Sequence, residues 1–320
     1  MNILILSCGT RNKLIYFFKE DKNFDKVIAT DCSHLAPALY VADSYYIVPR
    51  MNQPGYMDCL MDICTKENID LILPLHEDEL LLIAQNKQLF IEKGIIPIVS
   101  DYEKVSLCRD KYMLNNTLLK YGVSAIPTFL GEEYLQQNTE DNEVILKPRY
   151  GAGSVSTFRV SSRKLLETLI QEIKEEFVVQ PFIKGKEFGV DVYVDMVSHE
   201  VISCFCKEKL RMRAGETEKS LSVIHPEIEK LVTEAVTRLG LYGPIDVDVM
   251  EQDGVYYILE INPRFGGGYP HAYMCGVSFP EYIARNGRQE VNPINMHNYI
   301  ENSIALKYSD VFIVNEEKKV

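Results

Sequence analysis

Apolar residues recur in two rhythms along this chain. Residues 3–7 (Ile-Leu-Ile-Leu-Ser) form a short unbroken run, the pattern of a strand buried on both faces. Cys8-Gly9-Thr10 supplies a turn, and Leu14, Ile15, Phe17 and Phe18 follow at helical spacing. Lys26–Asp31, Ile69–Pro74 and Gly94–Val99 repeat the strand rhythm, with amphipathic helical stretches between them. Strands alternating with helices predict a parallel sheet covered on both sides, a doubly wound unit over residues 1–105.

Past Asp101 the pattern changes. Arg109–Lys120 carries helical spacing that ends near Gly122. Glu143–Pro148 and Val155–Val160 read as strands around Arg149-Tyr-Gly-Ala-Gly-Ser154, a strand–glycine loop–strand hairpin. A helix over 162–175 and a strand from Phe177 complete a small α+β lid, residues 106–182. In residues 183–320 strands dominate: Phe188–Asp195, Val201–Phe205, Ile245–Met250 and Val255–Ile261, with a helix at 226–239 that ends at Gly240. The fold class is therefore α/β and α+β, an N-terminal doubly wound parallel-sheet domain followed by a lid and an antiparallel-sheet part.

Of the 320 residues 46% are hydrophobic and 25% charged, a globular composition, and the net charge of −12 argues against a nucleic-acid-coating protein. No apolar run reaches the roughly 18 residues of a membrane helix, and the opening residues lack a signal-peptide pattern. Eight cysteines are scattered without a CxxC pair, so neither a zinc cluster nor a redox pair is expected and a reducing cytoplasm fits. A dinucleotide site in the first unit is disfavoured: Gly9 stands alone, without GxGxxG spacing, although Asp31 ends the second strand at about the ribose-binding offset.

The chemistry concentrates in residues 243–268. Asp253-Gly254 is a hairpin turn signal between two strands. A three-residue loop at 252–254 would set Asp246 opposite Glu260, with Asp248 diagonal to it and Asn262 on the face of Glu260. Carboxylates packed side by side repel, and a hard divalent cation resolves the cost. Arg264, just beyond, can face a transferring phosphoryl group. The bland alternative is an acid-rich exposed hairpin, opposed by the interleaving of Asp246 and Asp248 with Ile245, Val247 and Val249.

Lys147 ends a strand beside the glycine hairpin, where it can hold a nucleotide phosphate; Ser154 and Ser156 add hydroxyl donors. Gln180, Ile183 and Glu187 lie at the junction of the lid with the last part, where an adenine edge and ribose hydroxyls can be read. Arg211 and Arg213 share a face if extended, and either grip an anion or line a solvated loop. Gly266–Gly268 with Tyr269 and His271 is expected to border the same pocket, His271 as a polar wall rather than a base.

In this order the residues resemble the ATP-grasp superfamily, most of all its branch of carbamoyl phosphate synthase large subunits and stand-alone amino-acid ligases. Glu260-Ile-Asn262-Pro-Arg264 is the specific element, and the likeness spans nearly the whole chain. It implies that Lys111 and Lys147 contact ATP phosphates while Gly151, Gly153, Ser154 and Ser156 close over them. It further implies that Gln180, Ile183 and Glu187 hold adenosine, that Asp248, Glu260 and Asn262 bind magnesium (manganese as an alternative), and that Arg264 steadies an acyl phosphate. Gln180 stands where many members carry Glu, and the second half and accessory regions of carbamoyl phosphate synthases are missing. The implied function is ATP-dependent ligation of a small, amino-acid-like carboxylate to an amine, with no nucleic-acid or membrane partner. The alternative is a non-catalytic ATP-binding protein; a homodimer is left open.

Overall fold

The computed structural model describes residues 1–151, 156–173, 176–213, 215–311, 313 and 314. In the first part, β1 (Asn2–Leu6), β2 (Lys26–Asp31), β3 (Ser44–Ile47), β4 (Leu71–Pro74) and β5 (Ile96–Pro97) form a parallel sheet in the order β3-β2-β1-β4-β5. Helices α1 (Asn12–Glu20), α2 (Tyr56–Lys66), α3 (Glu77–Gln85) and α4 (Lys87–Ile91) cover it. The continuous apolar run of β1 divides between the two faces as alternation requires. Ile3 and Ile5 join one core with α1, while Leu4 and Leu6 join another with α2 and α3. Asp31 accepts hydrogen bonds from the amides of Gly9 and Ser33, both at 2.9 Å, so it braces the first loop.

Helix α6 (Lys111–Lys120) is the helix expected over Arg109–Lys120, and α5 (Tyr102–Arg109) precedes it where none was expected. The break is chemical: Asp110 leaves the helical conformation and caps α6, accepting from the amides of Tyr112 and Met113. Leu114 and Leu118 of α6 pack on the antiparallel sheet described below. Strands β6 (Phe129–Leu130), β7 (Val144–Pro148), β8 (Phe158–Val160) and β9 (Phe177–Pro181) make a small antiparallel sheet, β6-β9-β7-β8. Helices α7 (Gly131–Gln137) and α8 (Arg163–Glu172) pack on it around Tyr134, Leu146 and Leu166. The expected strand from Val155 is shorter, since Ser156 has a left-handed φ of 55° and β8 begins at Phe158.

Strands β10 (Lys186–Val194), β11 (Val201–Arg213), β12 (Glu216–Val223), β13 (Gly243–Gln252), β14 (Val255–Asn262) and β15 (Ile304–Leu306) form the third sheet. It is antiparallel, in the order β14-β13-β10-β11-β12-β15. Helix α9 (Pro226–Leu239) buries Ile228, Val232 and Val236 against it. Helices α10 (Tyr269–Met274) and α11 (Phe279–Gly287) follow β14. An aromatic layer joins this region to the first sheet: Phe18 meets Phe265 at 6.1 Å and Phe17 meets Tyr269 at 6.2 Å between ring centres. Ser100 adds a polar tie, donating to the carbonyl of Tyr242 and accepting from its amide, both at 2.9 Å. Among the described residues no helix is long and apolar enough to cross a membrane.

Gly185 lies between β9 and β10, where the small sheet meets the large one. A Cβ there would stand 1.6 Å from the carbonyl oxygen of Glu251. Backbone that cannot yield makes Gly185→Ala cost about 1–3 kcal/mol. Urea unfolding of the two proteins measures it, and equal midpoints would contradict this close approach.

Candidate active site

The large and small antiparallel sheets enclose a cleft of about 760 Å³, of the size that holds a nucleotide and more. Lys111, Lys147, Gly151, Ser156, Gln180, Ile183, Glu187, Asp248, Glu260, Asn262 and Arg264 all line it. Gly153 and Ser154 lie outside the described residues.

The acidic face differs in register from the sequence expectation. Asp253 and Gly254 both have positive φ, 53° and 79°, and form a two-residue turn that pairs Gln252 with Val255. Carried to the strand ends, that register would set Asp248 against Leu259. A bulge between Asp248 and Val249 moves the pairing by one residue. Asp248 then stands directly opposite Glu260, and Asp246 opposite Asn262. The bulge thus brings the two carboxylates onto one face.

Acids so placed need cations among them. Lys209 of β11 donates to Asp248 Oδ1 at 2.6 Å and to Glu187 Oε1 at 2.7 Å. It reaches them across β10 at Gly189, whose missing Cβ would lie 3.1 Å from Lys209 Cε and 3.3 Å from Lys207 Cε. Lys207 makes a fully buried pair with Asp191. Although burial opposes its charge, Asp248, Glu187 and Asp246 hold the Lys209 ammonium well above its ordinary pKa. Burial pushes the Asp248 carboxyl up to about 7, with Asp246, Glu187 and Glu260 adding to the rise and Lys209 opposing it. Such a surplus of carboxylate is the donor chemistry a hard divalent ion satisfies. Among the described residues no three His, Cys, Asp or Glu side chains converge closely enough to enclose a metal unaided.

Asn262 sits best with its amide nitrogen donating to Glu260 Oε1 at 3.1 Å and Glu77 Oε1 at 3.3 Å. Arg264 donates to the same Glu77 oxygen at 3.2 Å and to Asp246 Oδ2 at 3.4 Å. Burial works against the Arg264 charge, but Asp246 and Glu77 outweigh it and raise its pKa. Glu77, at the first turn of α3, thus ties the parallel sheet to the acidic strands. The following Gly266–Gly268 run is bare because charged groups press on it. Added Cβ atoms would fall 2.4 Å from Asp246 Oδ1, 2.9 Å from Arg11 Nη1 and 2.8 Å from Lys207 Cε, respectively. Gly267 and Gly268 line the cleft, whereas Tyr269 and His271 turn into the core. Burial, helped by Lys207, lowers His271 to about 4, and Ser220 Oγ lies 2.8 Å from its Nδ1.

On the opposite wall Asp110 orders the end of β7. Arg149 donates to it twice, from Nε at 2.9 Å and Nη2 at 2.6 Å. Lys111 donates to the carbonyl of Gly151 at 2.5 Å. Burial lowers Lys147 to about 8; Lys111 adds to this, while Glu260, Asp248 and Glu187 oppose it. Gln180 Nε2 donates to Thr128 Oγ1 at 2.8 Å, an anchor that suits an amide at this position. Ile126, Ile145, Phe182, Met250 and Leu259 supply the apolar walls nearby.

Sequence reading missed Lys207, Lys209, Arg11, Glu77 and Glu216. The two lysines had a signal, since Cys204-Phe-Cys-Lys207-Glu-Lys209 continues the strand alternation into charged residues. Arg211 and Arg213 are exposed and pair with Glu218, while Met212 lines the cleft in their stead.

Residues 3–98 match the family described as PylC-like, N-terminal domain, and residues 108–268 the family described as ATP-grasp domain. A D-alanine–D-alanine ligase of Clostridium beijerinckii is 28% identical over 175 residues, 49% of this chain and 58% of that one. The chain therefore spans little more than half of that relative's length. The structure of N5-carboxyaminoimidazole synthetase from Staphylococcus aureus complexed with ADP aligns with a TM-score of 0.73 at 20% identity, covering 95% of this chain and 79% of that one. An L-amino acid ligase from Bacillus licheniformis aligns with a TM-score of 0.70 at 20% identity, covering 91% and 77%. These two structural likenesses are of fold.

Because Lys147 has a lower pKa folded than unfolded, its charge destabilises the fold fully below about pH 8. The cost fades as pH rises toward the ordinary lysine value. Lys147→Met should therefore unfold at higher urea at pH 7, by about 1–3 kcal/mol, with the gain shrinking by pH 10. A variant less stable than wild type at pH 7 would refute this sign.

Proposed function

We propose, since this chain belongs to the ATP-grasp family, that it is an ATP-dependent carboxylate–amine ligase working through an acyl phosphate. The observation that supports this reading best is the convergence of Lys111, Lys147, Arg264 and the acids Glu187, Asp246, Asp248 and Glu260 on one cleft that Gly151 also lines. Lys111 and Lys147 hold the triphosphate, and the small sheet β6-β9-β7-β8 with α7 and α8 serves as the lid that keeps water out during reaction; α6, although inside 106–182, packs on the large sheet instead. Adenine lies among Ile145, Ile183, Met250 and Leu259 with Gln180 at its edge, and Glu187 takes the ribose hydroxyls.

Asp248, Glu260 and Asn262 would hold divalent magnesium, with manganese as the alternative. The metal would supply neutralisation of the charge on the transferring phosphate. Lys209 keeps Glu187 and Asp248 oriented. An oxygen of the substrate carboxylate attacks the γ-phosphorus in line as the bond to the ADP oxygen breaks. Arg264, fixed by Glu77 and Asp246, stabilises the carboxyl oxygen of the resulting acyl phosphate. The amine then attacks the acyl carbon, phosphate departs, and the nitrogen loses its extra proton. The acid and the amine are small molecules.

Purified protein with ATP, magnesium and an amino-acid panel should release ADP, and hydroxylamine should trap the activated acid as a hydroxamate. Glu260→Gln should slow ADP release by about 100-fold or more with an unchanged melting curve. Silence of the wild type across the panel would leave a nucleotide binder without turnover. An active Glu260→Gln protein would remove the metal assignment.

A further inference from the structure

Beyond Arg264 the cleft continues to a second guanidinium that the scheme above leaves unused. Arg11 stands just before α1, and edge-on contacts of Phe17 with Tyr269 and of Phe18 with Phe265 hold that helix against the chain that follows β14. Its side chain lines the cleft with Nη1 2.9 Å from the position of a Cβ on Gly267. Among the described residues no carboxylate lies within ion-pair distance of Arg11, whereas Arg264 has Glu77 and Asp246. Burial, with Arg264 adding to it, lowers the Arg11 pKa even though Glu216 and Asp246 oppose the shift. An anion in direct contact is what Arg11 lacks.

One acid completes the pattern. Glu216 Oε1 lies 3.6 Å from the same Cβ position on Gly267. Its other oxygen, Oε2, pairs with Lys307, leaving Oε1 for the cleft. Arg264, Arg11 and Glu216 thus present two cations and then an anion around a floor that has no side chain. The complementary molecule carries two carboxylates and an ammonium. We propose that Arg11 and Glu216 form the recognition end for an acidic α-amino acid, Arg11 holding its α-carboxylate and Glu216 its α-ammonium. The side-chain carboxylate is then left at Arg264 to be activated. This rests on the ligase reading, and it names the substrate class of that same cleft. Gly267 is part of the device, because any side chain there would separate Arg11 from Glu216.

The test takes the full chain with ATP and magnesium and uses hydroxylamine as a general amine. ADP release is followed for both enantiomers of aspartate and glutamate, for alanine, and for glutarate. In parallel, calorimetry measures binding of each acid to protein saturated with a non-hydrolysable ATP analogue. An acidic α-amino acid should be the preferred acid, with alanine lacking the second carboxylate and glutarate the ammonium. Arg11→Met should raise its KM on the order of 10- to 100-fold, as expected for loss of a charged hydrogen-bonded contact. Arg11→Lys should recover part of the loss, and Gly267→Ala should resemble Arg11→Met. Affinity for the ATP analogue should be unchanged in all three, which also reports that they are folded. Turnover of a different acid with an unchanged KM in Arg11→Met overturns this inference and leaves the ligase reading standing. Arg11-dependent binding of an acidic amino acid without ADP release supports the recognition end and rejects the ligase. Neither turnover nor binding rejects both.

Discussion

Gathering several carboxylates on one sheet face is electrostatically uphill, and the rest of this site depends on how that cost is met. Lys209 meets it by crossing a strand. Its ammonium lies between Glu187 and Asp248, and only the absence of a side chain at Gly189 leaves room for the crossing. Lys207 runs beside it to Asp191, so two adjacent alternations of β11 deliver positive charge through one gap. The bulge in the β13–β14 hairpin does the complementary work, turning Asp248 toward Glu260. Backbone geometry and charge placement are thus one problem solved together.

The parallel sheet takes part in the site through α3 and α1. Glu77 reaches Arg264 and Asn262, and Arg11 reaches Gly267. Arg11 depends on the aromatic layer of Phe17, Phe18, Phe265 and Tyr269, which sets α1 against the chain that follows β14, while Glu77 is carried by α3 in the core on the other face of the sheet.

Much of this was legible in the sequence. Unbroken apolar runs identified four of the five parallel strands, missing the half-buried β3, and Asp253-Gly254 identified the hairpin. What escaped has physical reasons. The register of Asp248 and Glu260 depends on a bulge at residues that carry no bulge signature. The continuation of β11 through Lys207 and Lys209 looked like a strand end, because charged residues seldom enter a core. They do so here because Asp191, Glu187 and Asp248 wait for them. Arg11 and Glu77 are single residues at helix starts, and only the docking of the two sheets brings Arg11 to Gly267 and Glu77 to Arg264. Helix α5 carried no signal that was read, and its separation from α6 follows from Asp110, whose side chain serves a cap and Arg149 together.

The glycine floor at 266–268 has a bearing on how such a protein can change its chemistry over generations. A surface made of main chain offers no side chain to vary, and charged groups press on each of its positions. New preferences must then arise at the rim, where the contributors come from distant stretches of the chain. A single exchange there alters one half of a recognition pattern and leaves the other half mismatched. Drift toward a new substrate would thus pass through forms that bind neither the old nor the new one well, so lineages should keep their preference for long periods and switch it in coordinated steps.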